Sequence, residues 1–445
     1  MRFSTLEIAE LLGTGHHGPS LPVEQAVIDP ATLEPDRNQL FVASAHPPPL
    51  GDTSQLLFGN LADRAPYLTE RSWMGGTAIS GPSTETMLRT MASDERGRPD
   101  GCARVGVLGG AAWATAALLR VALGAPTAAF DLPPTGPPGR REIPGTERFR
   151  TPLALLNHDG DEPLVVELNR RHRGCSVADG ALLAPNIMVV TDLGDHHLAT
   201  LGTPRVTAEA DSLIRQLGAD TALVVSEAVA ETLSDGADDD ETAAPATFRV
   251  ATTHTQGPTP GGEVRVSGAW GSLEVEVGPD GGWLGLPIGG AIAAAAATGR
   301  NLDEVRERVA SAARALTDSI VMNLPEGPVV WDRSDATSVG EVSVALEALA
   351  ARPAQARFLV LGAMDDGPTA TGRQHARLAQ QATKAGIVVR SADAWGAGFE
   401  YLEHPRQAVD DLAATGPGAV VMLTGTSSDL LSVRHRFLAR AGRAT

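Results

Sequence analysis

The sequence predicts an α/β protein of three domains, and three observations carry that expectation. Arg104 to Arg120 reads as a short apolar strand, a glycine turn at Gly109-Gly110 and an alanine-rich helix, the arrangement that places a phosphate-binding loop. Leu164 to Leu168, Asn186 to Thr191 and Thr221 to Ser226 are continuous apolar runs separated by helical stretches, as expected of parallel strands covered on both faces. The chain has 445 residues, enough for about three domains at roughly 150 residues each. The expected division is 1–99, 100–323 and 324–445.

Bulk properties narrow the function classes. A hydrophobic content of 42% supports real cores rather than wholesale disorder. The formal net charge of -18 repels nucleic acid and anionic lipid, so neither is an expected partner. Two cysteines, Cys102 and Cys175, cannot build a disulfide framework and read as reduced thiols. The chain carries neither an apolar run of membrane-spanning length nor a signal-like opening, and the expected location is the cytoplasm. Lys384 is the only lysine. Any chemistry needing a lysine elsewhere is therefore excluded.

The elements follow in order. Phe3 to Leu12 predicts a short amphipathic helix capped by Ser4 or Thr5. Ala26 to Asp29 and Leu40 to Ala43 are strand-like; His46 to Pro49 and Gly75 to Pro82 read as loops. Gly76 to Ser83 superficially matches a phosphate loop with proline for lysine, a chance match in so loose a pattern. Beyond the glycine turn, Thr127 to Leu132 leads into a proline-rich connector at Pro133 to Gly139. Val206 to Leu217, Ile288 to Thr298 and Leu302 to Leu316 are helical. Ser234 to Ala244 is an acidic, solvated connection, and Glu263 to Gly278 alternates as a half-exposed hairpin. From Leu324 onward, strands at Val329–Trp331, Arg357–Leu361 and Val420–Leu423 alternate with helices at Glu341–Ala350, Arg373–Ala385 and Asp429–Ala441, again parallel βαβ units.

The glycine turn has the scaffold of a nucleotide site without its charge. A working loop needs glycines for close backbone approach, a lysine on the outer phosphates and a hydroxyl on magnesium. Gly110 and Thr115 are in place, but Trp113 and Ala114 stand where glycine and lysine belong. Thr115 either holds a metal or serves its own helix.

Taken in order, these segments resemble the Mur ligase family, most closely its D-alanyl-D-alanine-adding branch. The opening helix, the Asp29–Ala43 segment, the Val105–Thr115 loop and Thr151–Leu156 followed by Val165–Leu168 match its landmarks, as do Thr191–Leu193 with His197-Leu198, Ser334–Gly340, Leu361–Met364 and Thr424–Ser427. The resemblance implies three domains: an N-terminal UDP-substrate-type domain, a central ATPase-like domain and a C-terminal Rossmann-like domain. It also implies amide-bond formation through an acyl phosphate, with ATP and magnesium as cofactors. Glu167 then corresponds to a metal-binding glutamate, and His197 to a histidine-bearing loop. Several of the implied groups are replaced. Ala114 stands for the loop lysine, and Glu209 and Asp211 lie where a carbamylated lysine is expected. Thr146 to Arg150 replaces an Asn-Asn-Asp stretch, Ile288 to Ala291 lacks an adenine-contacting His-Asn pair, and Arg333-Ser334-Asp335 and Thr424–Ser427 replace the C-terminal motifs. Pro30-Ala31 removes the Ser-Arg expected after Asp29 for UDP.

The candidate catalytic residues are Glu167 and His197, and the candidate metal ligands are Glu167, Asp192, Asp195, His196 and His197. Each has a plainer reading, Glu167 as a strand-end acid and Asp192 to His197 as a solvated polar loop. His172 with Cys175 is a weaker pair. The expectation is a pseudo-ligase without a cofactor, partnered by an active Mur-type ligase or by a second copy of itself. The rival is a divergent ATP- and magnesium-dependent carboxylate–amine ligase, for which Arg104, Arg120, Arg148 and Arg150 could supply charge.

Overall fold

The structure is a computed structural model. It describes residues 3–28, 33–34, 37–43, 65–70, 76–96, 102–125, 147–158, 162–168, 174–192, 203–234, 246–255, 262–278, 280–334, 336, 338–362, 367–391, 400–401, 405–425 and 428–442. Among them the chain forms three α/β layers in sequence order.

The first sheet has the order 15–17, 78–80, 67–69, 39–43, 25–27, parallel except for the antiparallel first pair. The helix Thr5–Leu12 leads into it. Ser4 caps that helix in a capping box with Glu7, and Gly13 ends it in the left-handed region. One expectation fails here. Thr77 to Ser80 lies in a Gly/Ser/Pro-rich run, yet Ala78–Ser80 is a strand with Ala78 and Ile79 fully buried. Burial between two neighbouring strands outweighed the turn-forming composition.

The central sheet has seven strands in the order 271–276, 263–268, 246–255, 222–226, 187–190, 104–108, 164–167. The five from 246–255 to 164–167 are parallel, and the expected hairpin adds an antiparallel edge. Helices Ala112–Leu123, Gly285–Ala297 and Leu302–Ile320 cover one face around Trp113, Trp283 and Ile292. Gly289 and Gly290 let the middle helix lie flat, since a side chain there would press within 3 Å of Thr252, Val250 and Val189. The other face shares one apolar core with the N-terminal domain, in which Met87, Leu88 and Met91 of helix Thr84–Arg96 join Phe149, Leu153 and Leu156. The Asn157 amide seals that seam by exchanging two 2.8 Å hydrogen bonds with the backbone of Ala26.

The third sheet has the order 321–323, 329–333, 419–424, 356–361, 388–391, 400–401 and is parallel after its first, antiparallel pair. Its helices include Val339–Ala351, Gly367–Lys384 and Ser428–Arg440. Asp332 and Arg434 form a buried ion pair there, and Ser334 donates to the same carboxylate at 2.8 Å. Burial still pushes the Asp332 carboxyl above its usual range, against the pull of Arg434. Among the described residues no helix is long and apolar enough to cross a membrane.

Candidate functional site

The strand Arg104–Leu108 delivers the chain to Gly109, whose φ of +129° and tight surroundings admit only glycine. A Cβ there would sit 2.4 Å from Thr191 Oγ1 and 2.7 Å from the Asp192 backbone. Thr191 in turn donates its hydroxyl to the Gly110 carbonyl at 3.1 Å. Ala111 then adopts the left-handed region (φ 49°, ψ 32°) as the N-cap of helix Ala112–Leu123. A non-glycine residue held in that region costs on the order of 1–3 kcal/mol, which the surrounding contacts must offset.

Those contacts come from the chain itself. Ala114 is fully buried and Trp113 is 3% exposed. Trp113 packs against Trp283 with ring centroids 5.9 Å apart. The guanidinium of Arg333, from the C-terminal sheet, lies 4.0 Å from the centroid of the Trp283 ring. The Thr115 hydroxyl turns back to donate to the Ala111 carbonyl at 3.2 Å and is fully buried. The Ala111 N–H donates to Glu341 Oε1 at 3.0 Å. Glu341 belongs to the capping box of helix Val339–Ala351, where its Oε2 accepts from the Ser338 N–H and Oγ, both at 3.2 Å. One carboxylate therefore ends two helices, 230 residues apart in sequence. Arg352, at the far end of that helix, pairs with Asp280 and lies 5.1 Å over Trp331. Burial raises the Asp280 carboxyl above its usual range, with Arg352 opposing the shift.

One strand across, register pairs Glu167 with Val107, two residues before Gly109. The Glu167 carboxylate faces Arg150 Nη1 at 3.0 Å, and the two side chains are 18% and 12% exposed. Arg150 opens helix Arg150–Leu156. Behind this pair, Arg89 joins Glu85 at 3.2 Å to the fully buried Asp179 at 2.6 Å, and Arg148 lies 3.8 Å from Glu85 and 4.7 Å over Phe149. Glu209 accepts from the Ser176 N–H and Oγ at the start of helix Cys175–Leu183, so it serves as a helix cap. Burial, then Asp179, Glu209 and Glu85, hold the Cys175 thiol above its usual pKa.

The structure brings Gly110, Thr115, Thr191 and Asp192 to the strand ends with Glu167 beside them. Asp192 Oδ2 approaches the C-terminal domain, 4.0 Å from where a Cβ on Gly340 would stand. Asp195, His196, His197 and His172 lie outside the described residues. Among the described residues no three His, Cys, Asp or Glu side chains gather as a metal cluster. Arg104 and Arg120 turn to the carbonyls of Leu183 and Val165. Ile288 to Ala291, the stretch the resemblance aligns with an adenine contact, is buried against the sheet. A cavity of about 10 Å³ between Thr191, Ser226, Gly290 and Leu286 has room for about one water. Sequence reasoning singled out neither Trp283 nor Glu341, and named Arg333 only as a replaced C-terminal motif position. The Ser338-x-x-Glu341 spacing marks a capping box, but nothing local marks its second partner.

The same architecture occurs in solved structures. MurF ligase from Thermotoga maritima, in complex with ADP, matches at a TM-score of 0.71 and 17% identity, covering 94% of this chain and 98% of that one. MurF from Acinetobacter baumannii matches at 0.74 and 13%, covering 99% of both chains. A pseudomurein peptide ligase type C from Methanothermus fervidus matches at 0.53 and 12%, covering 90% and 86%. The chain thus has a three-domain Mur ligase fold of the MurF-like kind. No protein-family model matches the sequence, and no curated protein does.

Proposed function

We propose that this chain, built on the Mur ligase fold, has lost ATP-dependent ligation and acts through binding, as a pseudo-ligase. The observation that carries this reading is Ala114. It is fully buried where a nucleotide loop would extend a lysine to the triphosphate. Phosphoryl transfer depends on positioned charge around the transferred group. Here the nearby loop N–H meets Glu341, the Thr115 hydroxyl meets its own helix, and Glu167 meets Arg150. The residues present therefore do not fit Mg-ATP.

The expected partner is an active Mur-type ligase, with a second copy of this chain as the other arrangement. A fold kept without its charges still presents its surfaces, which is an argument by analogy. The test combines two measurements. The purified chain should release no ADP from Mg-ATP above background, and it should co-elute with the MurF-type ligase of its own host. ADP release that disappears in Thr115→Ala would overturn the reading.

One observation favours a second reading, a divergent carboxylate–amine ligase. The similar Thermotoga maritima MurF ligase was solved in complex with ADP. On that reading ATP and magnesium are the cofactors, Gly110 and Thr115 border the nucleotide, and Glu167 must exchange Arg150 for a metal ion. The ADP-release assay separates the two.

A further inference from the structure

We propose that the loop after Gly109 remains an anion site, and that its resident ligand is the Glu341 carboxylate. That carboxylate latches the C-terminal domain onto the central domain. The latch rests on the reading that nucleotide does not occupy this loop.

Three independent features support it. The first is the seated anion. A helix N-terminus with free N–H groups attracts negative charge, and here a carboxylate oxygen lies 3.0 Å from the Ala111 N–H at the head of a 12-residue helix. The second is pre-organisation. Glu341 is already fixed by its own capping box, so its Oε1 reaches the loop with little further loss of rotamer freedom. A carboxylate on a rigid helix thus meets the backbone as a phosphate oxygen would. The third is the seam around it. Arg333 stacks on Trp283, Trp283 on Trp113, and Arg352 pairs with Asp280, so the contact is flanked on the central-domain side by residues 280–283 and on the other by 331–352. In a ligase, bound nucleotide stabilises the closed arrangement of domains. Here a side chain does so permanently.

The loop amides report the latch directly. Hydrogen exchange of the peptide containing residues 109–113 is followed in the wild-type chain and in Glu341→Gln and Glu341→Ala, with inorganic tripolyphosphate as probe. Glutamine has one acceptor oxygen, so if it keeps the capping box its NH2 faces the Ala111 N–H, donor against donor, and the latch bond is lost. Its loop should exchange at least about tenfold faster, the worth of the lost charge-assisted hydrogen bond. Alanine should exchange faster still, and small-angle scattering should show an expanded particle. Tripolyphosphate should slow exchange in Glu341→Ala and leave the wild-type chain unchanged. Equal loop exchange in all three chains, or tripolyphosphate protection of the wild-type loop, overturns the latch. Should Glu341→Ala not fold, Glu341→Gln still decides. Mg-ATP affinity tests the loss of ligation separately, so the two ideas can fail independently.

Discussion

The Arg150–Glu167 pair gives the most quantitative test of how the site is held. Arg150→Met removes the cation 3.0 Å from a carboxylate that is only 18% exposed. At an effective dielectric of 20 the gross attraction at that distance is about 5.5 kcal/mol, from which the desolvation of both ions must be subtracted. Exposed pairs net about 0.2–1 kcal/mol, and breaking a buried pair costs about 3–5. With both side chains largely but not wholly buried, Arg150→Met should destabilise the central domain by about 2–3 kcal/mol. Adding Glu167→Gln removes the stranded charge and should recover most of that loss, for a coupling of about 1–3 kcal/mol in the double-mutant cycle. Urea unfolding followed by circular dichroism reads this as a lower midpoint at an unchanged slope. A single variant within about 0.5 kcal/mol of wild type, or a cycle with no coupling, would refute the assignment of Arg150 as the cation of Glu167.

Three further outcomes follow from the same geometry. Trp283→Ala should cost about 3–5 kcal/mol and loosen the C-terminal domain in scattering, because it removes the ring between Trp113 and Arg333; a loss below about 1 kcal/mol would contradict that role. The folded state raises the Asp280 carboxyl above 3.8, so it binds more protons than the unfolded chain from that value upward; wild type should therefore gain stability relative to Asp280→Asn as pH falls towards 3.8, and a flat difference would be wrong for this site. Cys175, held protonated by burial and by Asp179, Glu209 and Glu85, should alkylate more slowly at neutral pH than an ordinary thiol, with Cys102, 3.2 Å from His158 Nε2, as the internal comparison in peptide mapping.

Much of the fold was legible because its signals are local. Continuous apolar runs such as Ile187–Val190 and Ala222–Ser226 mark strands buried on both faces, and both are strands in the structure. The Ser4 cap and the Gly109 turn were likewise readable within a few residues. Elements whose shape is imposed from outside were not. Ala246–Thr255 is polar along much of its length, yet it forms a ten-residue strand because neighbours pair with it on both sides. Helix Cys175–Leu183 contains Gly180, which suits a close approach to Leu213 rather than helix propensity. The site divides in the same way. Missing charge at Ala114 is visible in one residue, whereas its replacements require partners from distant segments. Arg150 meets Glu167 across two elements, and Glu341 meets Ala111 across two domains.

The central claim is that the loop after Gly109 no longer takes nucleotide, and calorimetric titration of the full chain with Mg-ATP tests it most directly. The account predicts no saturable heat, because Ala114 supplies no charge and Glu341 holds the Ala111 amide. Low-micromolar binding that is lost in Thr115→Ala would contradict it.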